Sequence, residues 1–197
     1  MKKGLKPIVI ITLLILIGFL IKAFLVGNYE FVGYWVVLVA LFLLVVALDK
    51  KFDFPLIGIA LFAIWSVMHM AGGLIKISGQ RLYGLILIDI IGSPYFILRY
   101  DQAIHIFCYF VITILVYFAL KKYFKKGKKN KLGLIVFSIL AGLGVSLLNE
   151  IIEFGMVIFA DAAAAVGDYT NTALDMVSNL IGAILGAIFS YKFLDKK

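Results

Sequence analysis

Residues 149–179 read NEIIEFGMVIFADAAAAVGDYTNTALDMVSN. One apolar run closes here on Glu150 and Glu153, three apart, and the next opens on Asp175 and Asn179, four apart. Either spacing puts both side chains on one side of a helix. The flanking residues are hydrocarbon of the kind that fills a bilayer, where a carboxylate is expensive and calls for a physical reason.

The rest of the chain keeps this character. Of 197 residues 64% are apolar, the mean hydropathy is +1.10, and there are only three prolines. Several runs approach or exceed the roughly 18 apolar residues that cross a bilayer core. They are long and do not alternate, and only helices or closed barrels satisfy their backbone in lipid. The expectation is an all-α, polytopic membrane bundle forming one domain over 1–197. Its helices fall at about 8–26, 31–48, 55–74, 101–120, 132–154 and 172–193. Asp49-Lys50-Lys51-Phe52-Asp53 reads as a polar turn, and Pro55 suits the first turn of the third helix. Met1-Lys2-Lys3 before Ile8–Ile21 has the look of a secretory signal, but the apolar run is too long and no small-residue cleavage site follows, so it reads as a retained helix.

The basic residues orient the bundle. If the apolar piece 82–98 does not cross, the N-terminus, the 49–53 turn, the 121–131 loop and the C-terminus share one side, with 15 of the 19 lysines and arginines. That asymmetry predicts six crossings, both termini cytoplasmic, and location in the cell (inner) membrane. It also explains the net charge of +8 without nucleic acid. The piece 82–98, which contains Gly84, Asp89, Gly92 and Pro94, is then a re-entrant or interfacial segment on the outer side. The lone Cys108 lies within an apolar run and forms no intrachain disulfide.

Placed by depth, the polar residues converge near the outer ends of the last four helices, within 60–190. The third carries His69, the fourth Asp101 and His105, the fifth Asn149, Glu150 and Glu153, and the sixth Asp175 and Asn179 behind the loop residue Asp168. Helices one and two contribute nothing comparable. Faces agree: Asp175 and Asn179 share theirs with Gly182 and Gly186, a small-x-x-x-small pattern that lets helices approach closely.

If the carboxylates of Asp101, Glu150, Glu153, Asp168 and Asp175 crowd together, they need a cation, shared protons or an arginine; Arg81 and Arg99 are the candidates for the last. As a metal set, Asp101, His105, Glu150, Glu153 and Asp175 offer oxygen-rich ligation with one imidazole, which suits zinc, manganese, iron or magnesium. As catalytic groups, Glu150 or Glu153 serves as general base, and Asp101, His105 and Asp175 as ligands or orienting groups. His69, Asn149, Asp168 and Asn179 would bind substrate or support the ligands. A proton- or cation-coupled transporter, or a purely structural polar network, uses the same residues. The partner expected is membrane lipid or a lipid-linked envelope molecule.

These pieces in order also resemble the YjdF-type family of prokaryotic inner-membrane proteins and, more distantly, the VanZ-like proteins. The shared features are His69 with Gly72, Tyr100-Asp101-x-x-x-His105, Glu150-x-x-Glu153-Phe154, Gly167-Asp168 ahead of Asp175-Met176, and Asn179-x-x-Gly182-Ala183-x-x-Gly186. The resemblance implies a multi-helix membrane protein with such a polar set and supplies no activity. Gln102 stands where an arginine commonly follows the aspartate, and Asn171 where an acidic residue is usual.

Overall fold

The computed structural model describes residues 2–93, 95–124, 128–160 and 168–195. The alanine run 162–165 and Gly167 lie outside them. Six helices are long and apolar enough to cross a membrane: α1 (Leu5–Leu25), α2 (Tyr29–Phe52), α3 (Leu56–Leu74), α4 (Tyr100–Lys121), α5 (Lys128–Ala160) and α6 (Tyr169–Phe189), the last running on through a π-turn, Ser190–Leu194. The all-α reading holds. Large apolar side chains such as Leu14, Leu25, Leu148 and Phe154 stand exposed, as helices that face lipid require.

Between α3 and α4 the backbone makes two small antiparallel hairpins, β1 (Lys76–Ile77) with β2 (Gln80–Arg81), and β3 (Ile86–Ile91) with β4 (Ile97–Arg99). The apolar piece 82–98 therefore forms no spanning helix. Its isoleucine-rich run favours strand, and Gly92 sits in the turn. Both faces of β3 are exposed.

α4 is the central element. It packs on α3, α5, α6 and the hairpin segment, and most closely on α6. Gly182 and Gly186 make that possible. A Cβ at either would collide with the α4 backbone carbonyl of Ile106 or Phe110, so only glycine allows this approach.

One end of the bundle is tied by lysines. The Lys2 ammonium meets Asp49 (2.7 Å) and Asp53 (2.8 Å) and donates to the Phe54 carbonyl; Lys122 donates to the Lys51 carbonyl, and Lys121 pairs with Asp195. Burial alone would lower the Lys2 pKa, but its bonds to the two aspartates raise it overall, while the Asp53 carboxyl is lowered by the same ammonium. The expected turn 49–53 is thus mostly helix: α2 continues to Phe52 because Lys50 and Lys51 suit its negative C-terminal end, and Asp53 closes it in the left-handed conformation (φ 54°). Asp49 is buried there.

Candidate functional site

At the other end a cavity of about 70 Å³ opens between the helices. α4 supplies Asp101, Ile104 and His105, and α6 supplies Asn171 and Asp175. Glu153 of α5 and His69 of α3 complete the expected part. α2 adds Glu30, Phe31 and Tyr34, and the segment after α3 adds Arg81 and Tyr83. The expectation that the first two helices contribute nothing comparable fails for α2, while no residue of α1 lines the cavity. Glu30 reads as part of a short turn, Gly27-Asn28-Tyr29-Glu30, but it sits in the first turn of α2, whose N-terminus Asn28 caps by accepting from Phe31 N–H. α2, α4 and α6 all begin at the cavity. The positive ends of three helix dipoles thus offset part of the repulsion among its acids.

Asp101, His105 and Asp175 each offer one ligand atom, and these atoms lie within 4.8 Å of one another. The partners around them fix orientation. Asn179 Nδ2 donates to Ser146 Oγ (2.6 Å) and to the Glu150 carboxylate (3.3 Å). Its Oδ1 is then the acceptor facing His105 Nδ1 at 2.9 Å, so Nδ1 carries a proton; in its neutral form the ring presents the Nε2 lone pair. Nε2 lies 3.8 Å from Asp101 Oδ1. Asn171 donates to Asp175 Oδ2 (2.8 Å) and Asp101 Oδ2 (3.4 Å), a neutral donor between two carboxylates. An acid at this position, as the resemblance would have it, would add a charge instead.

Asp175 is 1% exposed, and its Oδ1 has no hydrogen-bond partner among the described residues. Neither arginine answers the cluster: Arg81 reaches Glu30 at 3.8 Å, and Arg99 lies over the Phe96 ring. Of the three remedies, a cation or a shared proton remains.

The other expected residues divide. Glu153 lines the cavity, its Oε1 held by Asn149 Nδ2 at 2.7 Å. Asn149 acts through that bond, within α5. Glu150 does not line the cavity and reaches the network through Asn179. Asp168 is exposed and caps α6, accepting from Asn171 N–H at 2.9 Å; capping is its role here. Gln102, buried at the head of α4, accepts from Arg99 N–H at 3.0 Å. This accounts for a neutral side chain where the resemblance expects arginine.

His69 sits in an aromatic wall. The Tyr83 hydroxyl donates to the His69 carbonyl (2.9 Å), leaving its lone pair for Nδ1–H (2.8 Å). The Tyr83 ring rests over Gly72, where a Cβ would lie 2.6 Å from it. Burial raises the Tyr83 hydroxyl far above its usual pKa, and the Asp101 charge adds to this, so it stays a neutral donor. Phe31, Tyr34 and Trp65 surround the same imidazole at ring-centre distances of 5.4–6.3 Å. No spacing in the sequence links these aromatic residues, which come from three separate segments of the chain.

Searches among curated proteins and among solved structures found no match. Residues 7–196 match the family described as "Predicted membrane protein (DUF2238)". The match runs through all six helices and includes every residue that lines the cavity, and the chain belongs to that family of membrane proteins.

Proposed function

We propose that this protein holds a divalent cation in a pocket near the outer face of the cell membrane and uses it to bind or process a lipid or lipid-linked envelope molecule. One observation carries the reading: the buried Asp175 carboxylate, with one oxygen bound by Asn171 and the other without a partner among the described residues. A buried carboxylate left uncompensated is destabilising by about 3–5 kcal/mol, and a metal ion removes that penalty.

Asp101, His105 and Asp175 are the ligands. The donor set, two carboxylates and one imidazole, fits zinc, manganese, iron or magnesium. When bound, the ion supplies Lewis-acid polarisation or an acidified water. The chain supplies the rest. Asn179 holds His105 in the tautomer with Nε2 free, and Asn171 aims both aspartates. Glu153, steadied by Asn149, stands as the general base. Tyr83, in the turn between the two hairpins, walls one side of the pocket.

The lysine-tied end of the bundle favours cytoplasmic termini, hence an outward pocket. The motif likeness to YjdF-type and VanZ-like proteins supports an envelope setting. Passage of an ion across the bundle is less favoured. Below His105 the buried residues of α4 include the hydroxyls of Tyr109, Thr113 and Tyr117 but no further carboxylate or imidazole.

The test is metal analysis. Purified protein incubated with Zn²⁺, Mn²⁺ or Mg²⁺ and then dialysed should retain one ion per chain, and Asp175→Asn and His105→Gln should lose it. A parent that retains none of these ions, while remaining folded, sinks the reading.

A further inference from the structure

The pocket has a second half that a metal ion leaves unused. With a divalent ion balancing Asp101 and Asp175, and Glu30 opposite Arg81 at 3.8 Å, Glu153 remains as net negative charge. It faces a cavity walled by Phe31, Tyr34 and Tyr83. The rings form one contiguous group: Phe31 lies 5.2 Å from Tyr34 and 6.4 Å from Tyr83, centre to centre. Aromatic faces beside a carboxylate are the chemistry that recognises an ammonium group. For an anion the pocket offers, besides the metal ion, the Arg81 guanidinium, which is 42% exposed.

Size narrows the choice. About 70 Å³ holds roughly five waters at ~10–15 Å³ each, enough for an ethanolamine group and too little for an acyl chain. Any chain would have to stay outside; the exposed isoleucines of β3 (Ile86, Ile88, Ile90, Ile91) offer apolar surface in the same segment that carries Arg81 and Tyr83.

We infer that the pocket recognises a zwitterionic phosphoethanolamine headgroup, its ammonium against Phe31, Tyr34, Tyr83 and Glu153 and its phosphate at Arg81. The inference rests on the pocket reading given above and names the substrate class for it. Arg81 approaches Glu30 only to 3.8 Å, so its guanidinium keeps donors for a charge-assisted bond to the phosphate.

The experiment is carried out on full-length protein, loaded with metal, in phosphatidylglycerol nanodiscs with and without phosphatidylethanolamine. Soluble phosphoethanolamine is added in a parallel arm. Phosphatidylethanolamine should raise the melting temperature of the parent. Tyr34→Leu and Arg81→Gln should keep their metal but lose the increment, each weakening headgroup binding by about tenfold. Tyr34→Phe keeps the aromatic face and should retain the increment, which guards against a Leu variant that fails to fold. Protection by soluble phosphoethanolamine identifies the free headgroup as sufficient; protection by the lipid alone identifies the bilayer-borne form. The inference is overturned if neither protects, or if the increment persists in both Tyr34→Leu and Arg81→Gln as a bulk bilayer effect. Because metal content is measured separately, a metal-loaded parent indifferent to headgroup defeats this inference alone, whereas a metal-free parent defeats the reading beneath it.

Discussion

Asn179 is the residue whose role is set most tightly by its neighbours. A carboxylate can only accept, so Glu150 requires Nδ2 on its side, and that choice puts the carbonyl oxygen against His105. The imidazole is thereby turned with Nε2 towards Asp101. Partners of this kind tune metal affinity by about 10–100-fold. Asn179→Leu should weaken divalent-ion binding by that order without deleting a ligand, as titration with a competing chelator would register. Unchanged affinity would mean that His105 does not depend on Asn179 for its orientation. Asp168, next to the same network, is the contrast. Its side chain is used in closing the N-terminus of α6, and its exposure leaves it no part in the cavity.

Among elements, the α4–α6 contact positions the proposed ligands. Asp101 and His105 come from one of these helices and Asp175 from the other, so their separation depends on how closely the two backbones approach. Gly182 sits seven residues beyond Asp175 on the same face, against the Ile106 carbonyl next to His105. Gly182→Val has no room there and should destabilise the bundle by about 1–3 kcal/mol, spreading the ligand set as well. Gly144→Ala is the control, since nothing lies within 4 Å of its Cβ position. Thermal melts in detergent, read beside metal stoichiometry, would distinguish the two. Equal melts for both variants would contradict the close packing described. The segment between α3 and α4 is the other decisive element, because Tyr83, in the turn that links its two hairpins, lies over Gly72 and walls one side of the cavity.

At the scale of the molecule, the chain has a lysine-tied end and a carboxylate-rich end, and orientation in the membrane follows from which faces the cytoplasm. Cys108 is buried, so the parent should resist impermeant thiol reagents and provide a clean background. In whole cells Asp89→Cys, on β3, should label from outside, and a cysteine replacing Lys3 should label only after lysis; the reverse pattern would invert the topology. The sequence by itself determined the class and count of the helices, because hydropathy over some 20 residues is a local property that neighbours do not change. It also determined that acids and imidazoles gather at one end, since depth along a helix is simple counting. Which of them meet was decided only by the tertiary structure. Glu30, Arg81 and the aromatic wall of Phe31, Tyr34 and Tyr83 lie 70 or more positions from Asp101 or Asp175 in some pairings, and no periodicity links residues across separate helices. Nor does sequence reveal that 82–98 pairs as a hairpin, since an apolar run of that length suits strand, helix or interface until its hydrogen-bond partner is known.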